Sequence, residues 1–240
     1  MDSGLLRREF RGMGTDIALI CLDNPQTRHR LDLAERWLAA YENRLSRFIP
    51  YSELSRLNAS AGRPFVASPL LFGFVRYCLA LAERSGGVFD PTLLHEIEAA
   101  GYDRTFDSIP ELAPRAEVTP RPLLSEIEMD APSRTITLPA GLGIDSGGLG
   151  KGWAADRVAR YVGPDCVVDC GGDIAARGKP PGANAWYVGV QDPFVPDSDL
   201  MTIAVHDRGI ATSSVLKRSW HTAAGPAHHL IDSRTGLPST

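Results

Sequence analysis

Six adjacent positions constrain this chain most: Gly147-Gly148-Leu149-Gly150-Lys151-Gly152. They follow an apolar stretch, Gly143–Ser146, and lead into a helical pattern over Gly152–Val162. Glycines allow a backbone to approach a ligand closely. A helix N-terminus adds free N–H groups and a positive dipole end, and Lys151 adds a full charge. The physical reading is a phosphate-bearing ligand; the alternative is a tight strand–helix turn with an exposed lysine. Known phosphate loops do not fit. A Walker A loop requires glycine where Asp145 stands and Ser or Thr where Gly152 stands. A Rossmann fingerprint begun at Gly141 would need its third glycine at Ser146. The motif is neither that of an ordinary NTPase nor that of an NAD dehydrogenase.

Periodicity places the rest. Thr15–Leu22 is an apolar strand closed by Asp23-Asn24-Pro25. Leu31, Ala34, Leu38, Tyr41 and Leu45 form one stripe of a helix over Thr27–Leu45. Ser46–Gly62 reads as a polar loop, and Pro69–Arg84 as a second helix ended by Ser85-Gly86-Gly87. Pro110, Pro114, Pro120, Pro122 and Pro132 deny long regular structure to the region that follows. Short strands are then expected at Thr135–Leu138, Gly143–Ser146, Cys166–Asp169, Asp173–Ala176, Trp186–Gln191 and Met201–Val205. The expected class is α/β (α+β), helices packed on a mixed or largely antiparallel sheet. The expected organisation is one domain over 1–240, its lobes roughly 1–105 and 135–240, joined by a Pro-rich connection at 106–134.

A chain of 240 residues, 43% hydrophobic, can bury a sizeable core. Its net charge of -4 argues against nucleic acid. Arg7, Arg8 and Arg11 read as a solvated chain start. No apolar run is long enough to span a membrane, and the first residues carry no signal-peptide pattern, so the expectation is a cytoplasmic protein. Cys21, Cys78 and Cys166 lie in apolar runs as core residues; Cys170, beside Gly171-Gly172, is a candidate site-lining residue.

Two further turns join glycines to a carboxylate: Gly86-Gly87-Val88-Phe89-Asp90-Pro91-Thr92 and Gly171-Gly172-Asp173. With Asp145 this makes three aspartates beside glycine-rich turns, where one alone would be an ordinary turn former. His229, in His228-His229-Leu230-Ile231-Asp232, is either a structural histidine or a general base. The two histidines do not read as a metal pair, because neighbours on a strand point to opposite faces.

Taken in order, these segments resemble the ApbE family, the FAD:protein FMN transferases. Met13-Gly14-Thr15 is similar to its MGT signature, and Leu45-Ser46-Arg47-Phe48 with Ser52-Glu53-Leu54-Ser55-Arg56-Leu57-Asn58 to its S-x-F/Y … S-E-[LI]-S-x-[LI]-N segment. Gly87–Thr92 resembles G-x-F-D-P-T, and Asp145–Asp156 resembles D-x-G-G-[IL]-x-K-G-x-A-A-D, the most specific of the set. Gly171-Gly172-Asp173, Ala211-Thr212-Ser213 and His229 through Gly236 complete the series.

The resemblance implies a T-fold-like α/β protein with two lobes around an FAD groove. It implies FAD contacts at Met13, Phe48, Val88, Phe89, Asp90, Asp145, Lys151 and Leu230. It also implies a metal-binding oxygen at Gly148 for Mg²⁺ and a catalytic base at His229. Core packing stays open for Phe48 and Phe89. The implied reaction transfers FMN from FAD to a Ser/Thr hydroxyl of an acceptor flavoprotein, often a subunit of a membrane redox complex, and releases AMP. An FAD pyrophosphatase and a non-catalytic flavin-binding protein are the alternatives. The family's further segment with an A-D-A-x-x-T-like motif, which supplies metal ligands, has no counterpart before Thr240, and neither do its signal peptide and lipid-anchor cysteine. The expectation is therefore an incomplete metal site and a poor catalyst, either a fragment or a degenerate relative.

Overall fold

A computed structural model describes residues 4–116, 120–195, 197–216, 218–223 and 225–239. In chain order the strands are β1 (Leu5–Gly12), β2 (Thr15–Leu22), β3 (Pro64–Val66), β4 (Leu112–Ala113), β5 (Glu128–Asp130), β6 (Thr135–Thr137) and β7 (Cys166–Cys170). They continue as β8 (Ile174–Arg177), β9 (Trp186–Gln191), β10 (Asp199–Val205), β11 (Arg208–Ile210), β12 (Ser219–Thr222) and β13 (Gly225–His228). The α-helices are α1 (Pro25–Leu45), α2 (Glu53–Ala59), α3 (Pro69–Arg84), α4 (Leu94–Ala99) and α5 (Gly150–Val162).

The chain divides into two compact units. One is drawn from Met1–Glu42 and Leu149–Thr212, the other from Asn43–Gly148 and Ser213–Thr240. Each unit takes residues from both ends of the sequence, so the units cut across the lobes expected from the Pro-rich connection. Long-range pairing is the reason: β2 finds its second neighbour in β7, where Ile17 stands opposite Cys170.

The first unit is built on a sheet in the order β1-β2-β7-β8-β11 with antiparallel neighbours. Residues 17, 19 and 21 of β2 are buried, the alternation of a strand with one dry face. Helix α5 packs on β7 and β8 through Ala155, Val158, Ala159 and Val162, all buried. Trp186 and Val205 of the β9–β10 ribbon cluster with Val167 and Ala176. The stripe anticipated for α1 is buried at Leu31, Ala34, Leu38, Tyr41 and Leu45. Within this unit Trp37, Tyr41 and Trp153 stack in series, and the Tyr41 hydroxyl donates to the carbonyl of Gly150 at 2.8 Å.

The second unit holds two three-stranded sheets, β13-β12-β4 and β3-β6-β5. The β12–β4 pairing is parallel, which makes the protein's sheets mixed, as expected. Its aromatic core gathers Ile97, Ala100, Tyr102, Ala113, Trp220 and Ala227, with Phe48, Phe106, Ile109 and Ile231 packed against it.

Three expectations need correction. Ser46–Gly62 is not all loop, because it contains α2. The Ser52 hydroxyl caps that helix by accepting from the Ser55 N–H, and Leu54 and Leu57 anchor it in the core. Gly143–Ser146 is not a strand. Only Gly143 bridges, to Leu93, while both backbone groups of Ile144 bond the Asn58 amide at 2.9 Å. The chain start is not simply solvated: it forms β1, and Arg8 pairs with Asp32 of α1. In the Pro-rich connection residues 117–119 lie outside the described residues, and the rest carries only short elements.

All four cysteines are buried and free of disulfides. Cys170 is thus a core residue rather than a site-lining one. Burial pushes the Cys166 and Cys170 thiols up to about 12, so both are protonated and unreactive at neutral pH. Titration of the intact protein with a thiol reagent is therefore expected to find no fast-reacting cysteine, and all four should react once denaturant is added. One thiol reacting rapidly in the native state would contradict this burial.

Candidate functional site

The motif residues gather into two groups, one in each unit. In the first unit Met13 occupies the tight β1–β2 turn with φ at +52°, and its N–H donates to Glu42 at 2.8 Å. The glycine pair after β7 is tied to the same turn. A Cβ at Gly171 would lie 2.0 Å from the Thr15 hydroxyl, so only glycine permits this approach. Gly172 faces Thr212, whose Cβ would be 3.2 Å from an added Cβ. Lys151 pairs with Asp173 at 3.2 Å, both side chains about one-fifth exposed. Helix α5 starts at Gly150 with no side-chain cap, which leaves N-terminal N–H groups for another acceptor. The MGT, GGD and ATS segments and the lysine of the glycine cluster thus share one neighbourhood.

In the second unit the Gly86–Thr92 turn is held from two sides. The Ser233 hydroxyl donates to the Gly87 carbonyl at 2.7 Å, which docks the His229–Gly236 segment on this turn. Phe89 lies against Gly148, where an added Cβ would come within 3.2 Å of its ring. Val88 is 82% exposed and free to meet a ligand. Asp90 is fully engaged. One oxygen accepts from the backbone and hydroxyl of Thr92, and the other pairs with Arg121 at 2.7 Å. Arg121 also reaches Glu96 at 3.0 Å and the Thr92 hydroxyl at 2.6 Å. The Asp145 N–H donates to the Pro91 carbonyl at 2.8 Å, which joins the turn to the glycine cluster.

Asp145 stands beside Arg47 at 3.1 Å, and the Arg47 guanidinium lies over the rings of Phe48 and Tyr102. Phe48 is half-buried against the aromatic core, so packing accounts for most of its surface. His229 follows β13 directly, with Nδ1 3.4 Å from the Arg218 carbonyl oxygen. Leu230 is half-buried; its N–H donates to His228 and its carbonyl accepts from the Ser239 N–H. His228 is engaged in turn with the Ser239 carbonyl at 2.8 Å.

Asp232 closes the turn after His229. Hydrogen bonds from the Arg234 guanidinium, and then from its backbone N–H, hold the Asp232 carboxyl down at about 2. A carboxylate depressed in the folded state stabilises the fold above its unfolded pKa of about 3.9, and that contribution is lost as pH falls toward about 2. Arg234→Ala is expected to return the Asp232 titration, followed by NMR, to the ordinary range. An unchanged midpoint would show that Arg234 is not the cause.

Sequence reasoning missed Arg47 and Arg121. Arg47 fills the unspecified position of its motif, and Arg121 sits between two prolines with no pattern around it. Asn58 and Glu53 turn out to be scaffold. Asn58 pins the backbone before Asp145, and Glu53 accepts from the N–H and hydroxyl of Ser68, the cap of α3, at 2.6 Å.

The sequence model of the ApbE family matches residues 13–240. The chain belongs to the ApbE family. An FAD:protein FMN transferase of Treponema pallidum is 30% identical over 208 residues, covering 78% of this chain and 58% of that protein. One from Klebsiella pneumoniae is 26% identical over 222 residues, covering 88% and 61%. The chain thus spans about three-fifths of the length of these curated relatives. In fold it is similar to the crystal structure of the ApbE protein of Thermotoga maritima, with a TM-score of 0.83 at 21% identity over 98% of this chain and 78% of that one. The flavin transferase ApbE of Vibrio cholerae gives 0.75 at 22% identity, covering 98% and 78%. These ApbE folds agree with the mixed architecture expected from the sequence. Among the described residues no helix is long and apolar enough to cross a membrane.

Among the described residues no group of three His, Cys, Asp or Glu side chains could hold a metal ion. Gly148 can offer only its backbone carbonyl.

Proposed function

We propose that this ApbE chain serves FAD:protein FMN transfer: it cleaves FAD, attaches FMN to a Ser or Thr hydroxyl of an acceptor flavoprotein, and releases AMP. The observation that carries the reading is the docking of the histidine segment on the Gly86–Thr92 turn through Ser233 and Gly87. That contact joins two motifs distant in sequence. In this reading Val88, Phe89, Asp145, Leu230, Met13 and Lys151 serve the flavin nucleotide, and the uncapped start of α5 suits an anion. Asp90 acts by holding its turn, since both its oxygens are already engaged.

His229 takes the proton of the acceptor hydroxyl. That oxygen bonds the FMN phosphorus as the bond from phosphorus to the AMP oxygen breaks, and AMP carries the bridging oxygen away. The transfer depends on Mg²⁺, which would neutralise charge on the FAD pyrophosphate. The acceptor is a flavoprotein with a Ser/Thr flavinylation motif, for example a subunit of a membrane redox complex.

The test is incubation with FAD, an acceptor peptide and a series of Mg²⁺ concentrations. Flavin bound to the peptide is the expected result. Free FMN and AMP would instead identify a pyrophosphatase, and FAD bound unchanged would identify a flavin-binding protein. FAD is expected to bind more tightly than FMN or riboflavin; equal affinity for riboflavin would show that the phosphates contribute nothing to binding.

A further inference from the structure

Two of the free cysteines face each other. Cys21 of β2 stands directly opposite Cys166 of β7 in the antiparallel ladder, so their side chains share one face of the sheet. Opposed residues of such a ladder have Cα atoms about 4.5 or 5.5 Å apart, and both spacings lie within the about 4.4–6.8 Å that a disulfide spans. The other two cysteines are placed differently. Cys170 faces Ile17, at the far end of β7 from Cys166, about 13 Å along a strand. Cys78 belongs to α3, in the second unit. Cys21 is 1% exposed and Cys166 is fully covered, its Sγ donating to the carbonyls of Ala159 and Gly163 at 3.3 and 3.5 Å. The proposed transfer uses neither thiol. Their opposition joins two strands about 145 positions apart in the chain.

We propose that Cys21 and Cys166 form a disulfide site, closed when the chain folds in the presence of a small-molecule disulfide such as oxidised glutathione. The thiolate of one cysteine attacks a glutathione sulfur, the glutathione S–S bond breaks, and one glutathione leaves with the electron pair. The thiolate of the second cysteine then attacks the protein sulfur of this mixed disulfide and expels the other glutathione. Two cysteine thiols are oxidised, one glutathione disulfide is reduced to two thiols, and the two cysteine protons end on the glutathione sulfurs. Burial raises both protein thiols, that of Cys166 to about 12, so exchange is slow in the finished fold. The bond therefore closes while β2 and β7 come together, before α5 covers Cys166. Once made, it is shielded from reductant by the same burial. The inference rests on the β2–β7 register and is independent of the flavin reading.

The test refolds the chain from denaturant in a reduced and in an oxidised glutathione buffer. Free thiols are then counted in denaturant, and peptide mapping without reductant locates any link. The oxidised sample is expected to keep the thiols of Cys78 and Cys170 alone, with the peptides of Cys21 and Cys166 joined, whereas the reduced sample keeps all four. Its thermal midpoint should lie about 4–16 °C higher, because a bond across a long loop restricts the unfolded chain. Cys166→Ala is expected to lose both the link and the gain, and Cys170→Ala to keep both. The chain produced in a host with an oxidising cytoplasm answers the same question without refolding, so the inference stays testable if refolding fails. Four free thiols after oxidation by either route would overturn it, and so would a link made through Cys78 or Cys170.

Discussion

His229→Ala is expected to lower AMP release from FAD by about 10²- to 10⁴-fold while FAD still binds. The expectation comes from the position of His229 immediately after β13, in the segment that Ser233 docks on the Gly86–Thr92 turn. Removing a base should slow the proton-transfer step without removing groups that hold the nucleotide. Two measurements on the same preparation decide it: FAD affinity by fluorescence, and AMP release by chromatography. Because Nδ1 faces the Arg218 carbonyl at 3.4 Å, the ring also has a structural partner. Release of AMP at the parent rate would assign it that role alone. Loss of FAD binding together with AMP release would make His229 a binding residue.

The largest stability effect is expected at Gly171→Ala. The new methyl would meet the Thr15 side chain, with Oγ1 at 2.0 Å, Cγ2 at 2.7 Å and Cβ at 2.8 Å, and φ there is +69°. Left-handed backbone strain and overpacking each cost about 1–3 kcal/mol, so the sum is roughly 2–6 kcal/mol. The thermal midpoint should fall by roughly 4–24 °C for a chain of this size. Thr15→Ala in the same chain should recover part of the loss, because it removes the hydroxyl and methyl that collide. A Gly171→Ala protein melting with the parent would mean that the β1–β2 turn gives way freely. That would also question the fixed position of Met13.

Local pattern made some of this legible. Thr15–Leu22 and Pro69–Arg84 match their elements because strand alternation, an apolar helical stripe and a terminal Ser-Gly-Gly are all contained in short windows. The glycine-carboxylate turns were visible for the same reason, and two of them meet where the Asp145 N–H donates to the Pro91 carbonyl. What stayed hidden depends on distant partners. Leu142 and Ile144 are buried like strand residues, yet the backbone at Ile144 bonds a side chain 86 positions away. Arg47 and Arg121 carry no local signature, and each acquires meaning only beside a carboxylate brought from elsewhere in the chain. Strand β1 was obscured because Arg7-Arg8 interrupts its apolar residues, and only pairing with β2 across the Met13 turn makes it a strand.

The interleaving of the two units sets an order for synthesis. Strand β2 emerges early, but its partner β7 lies about 150 positions later, with Ile17 paired to Cys170. At about 5–20 residues per second the ribosome needs roughly 8–30 s to deliver that partner. During this interval the β1–β2 hairpin has an unpaired edge carrying Ile17, Leu19 and Cys21, all of which end up buried. Residues 43–148, the greater part of the second unit, are made in the meantime. The nascent chain must therefore keep these apolar side chains without their final partner while most of the other unit is produced.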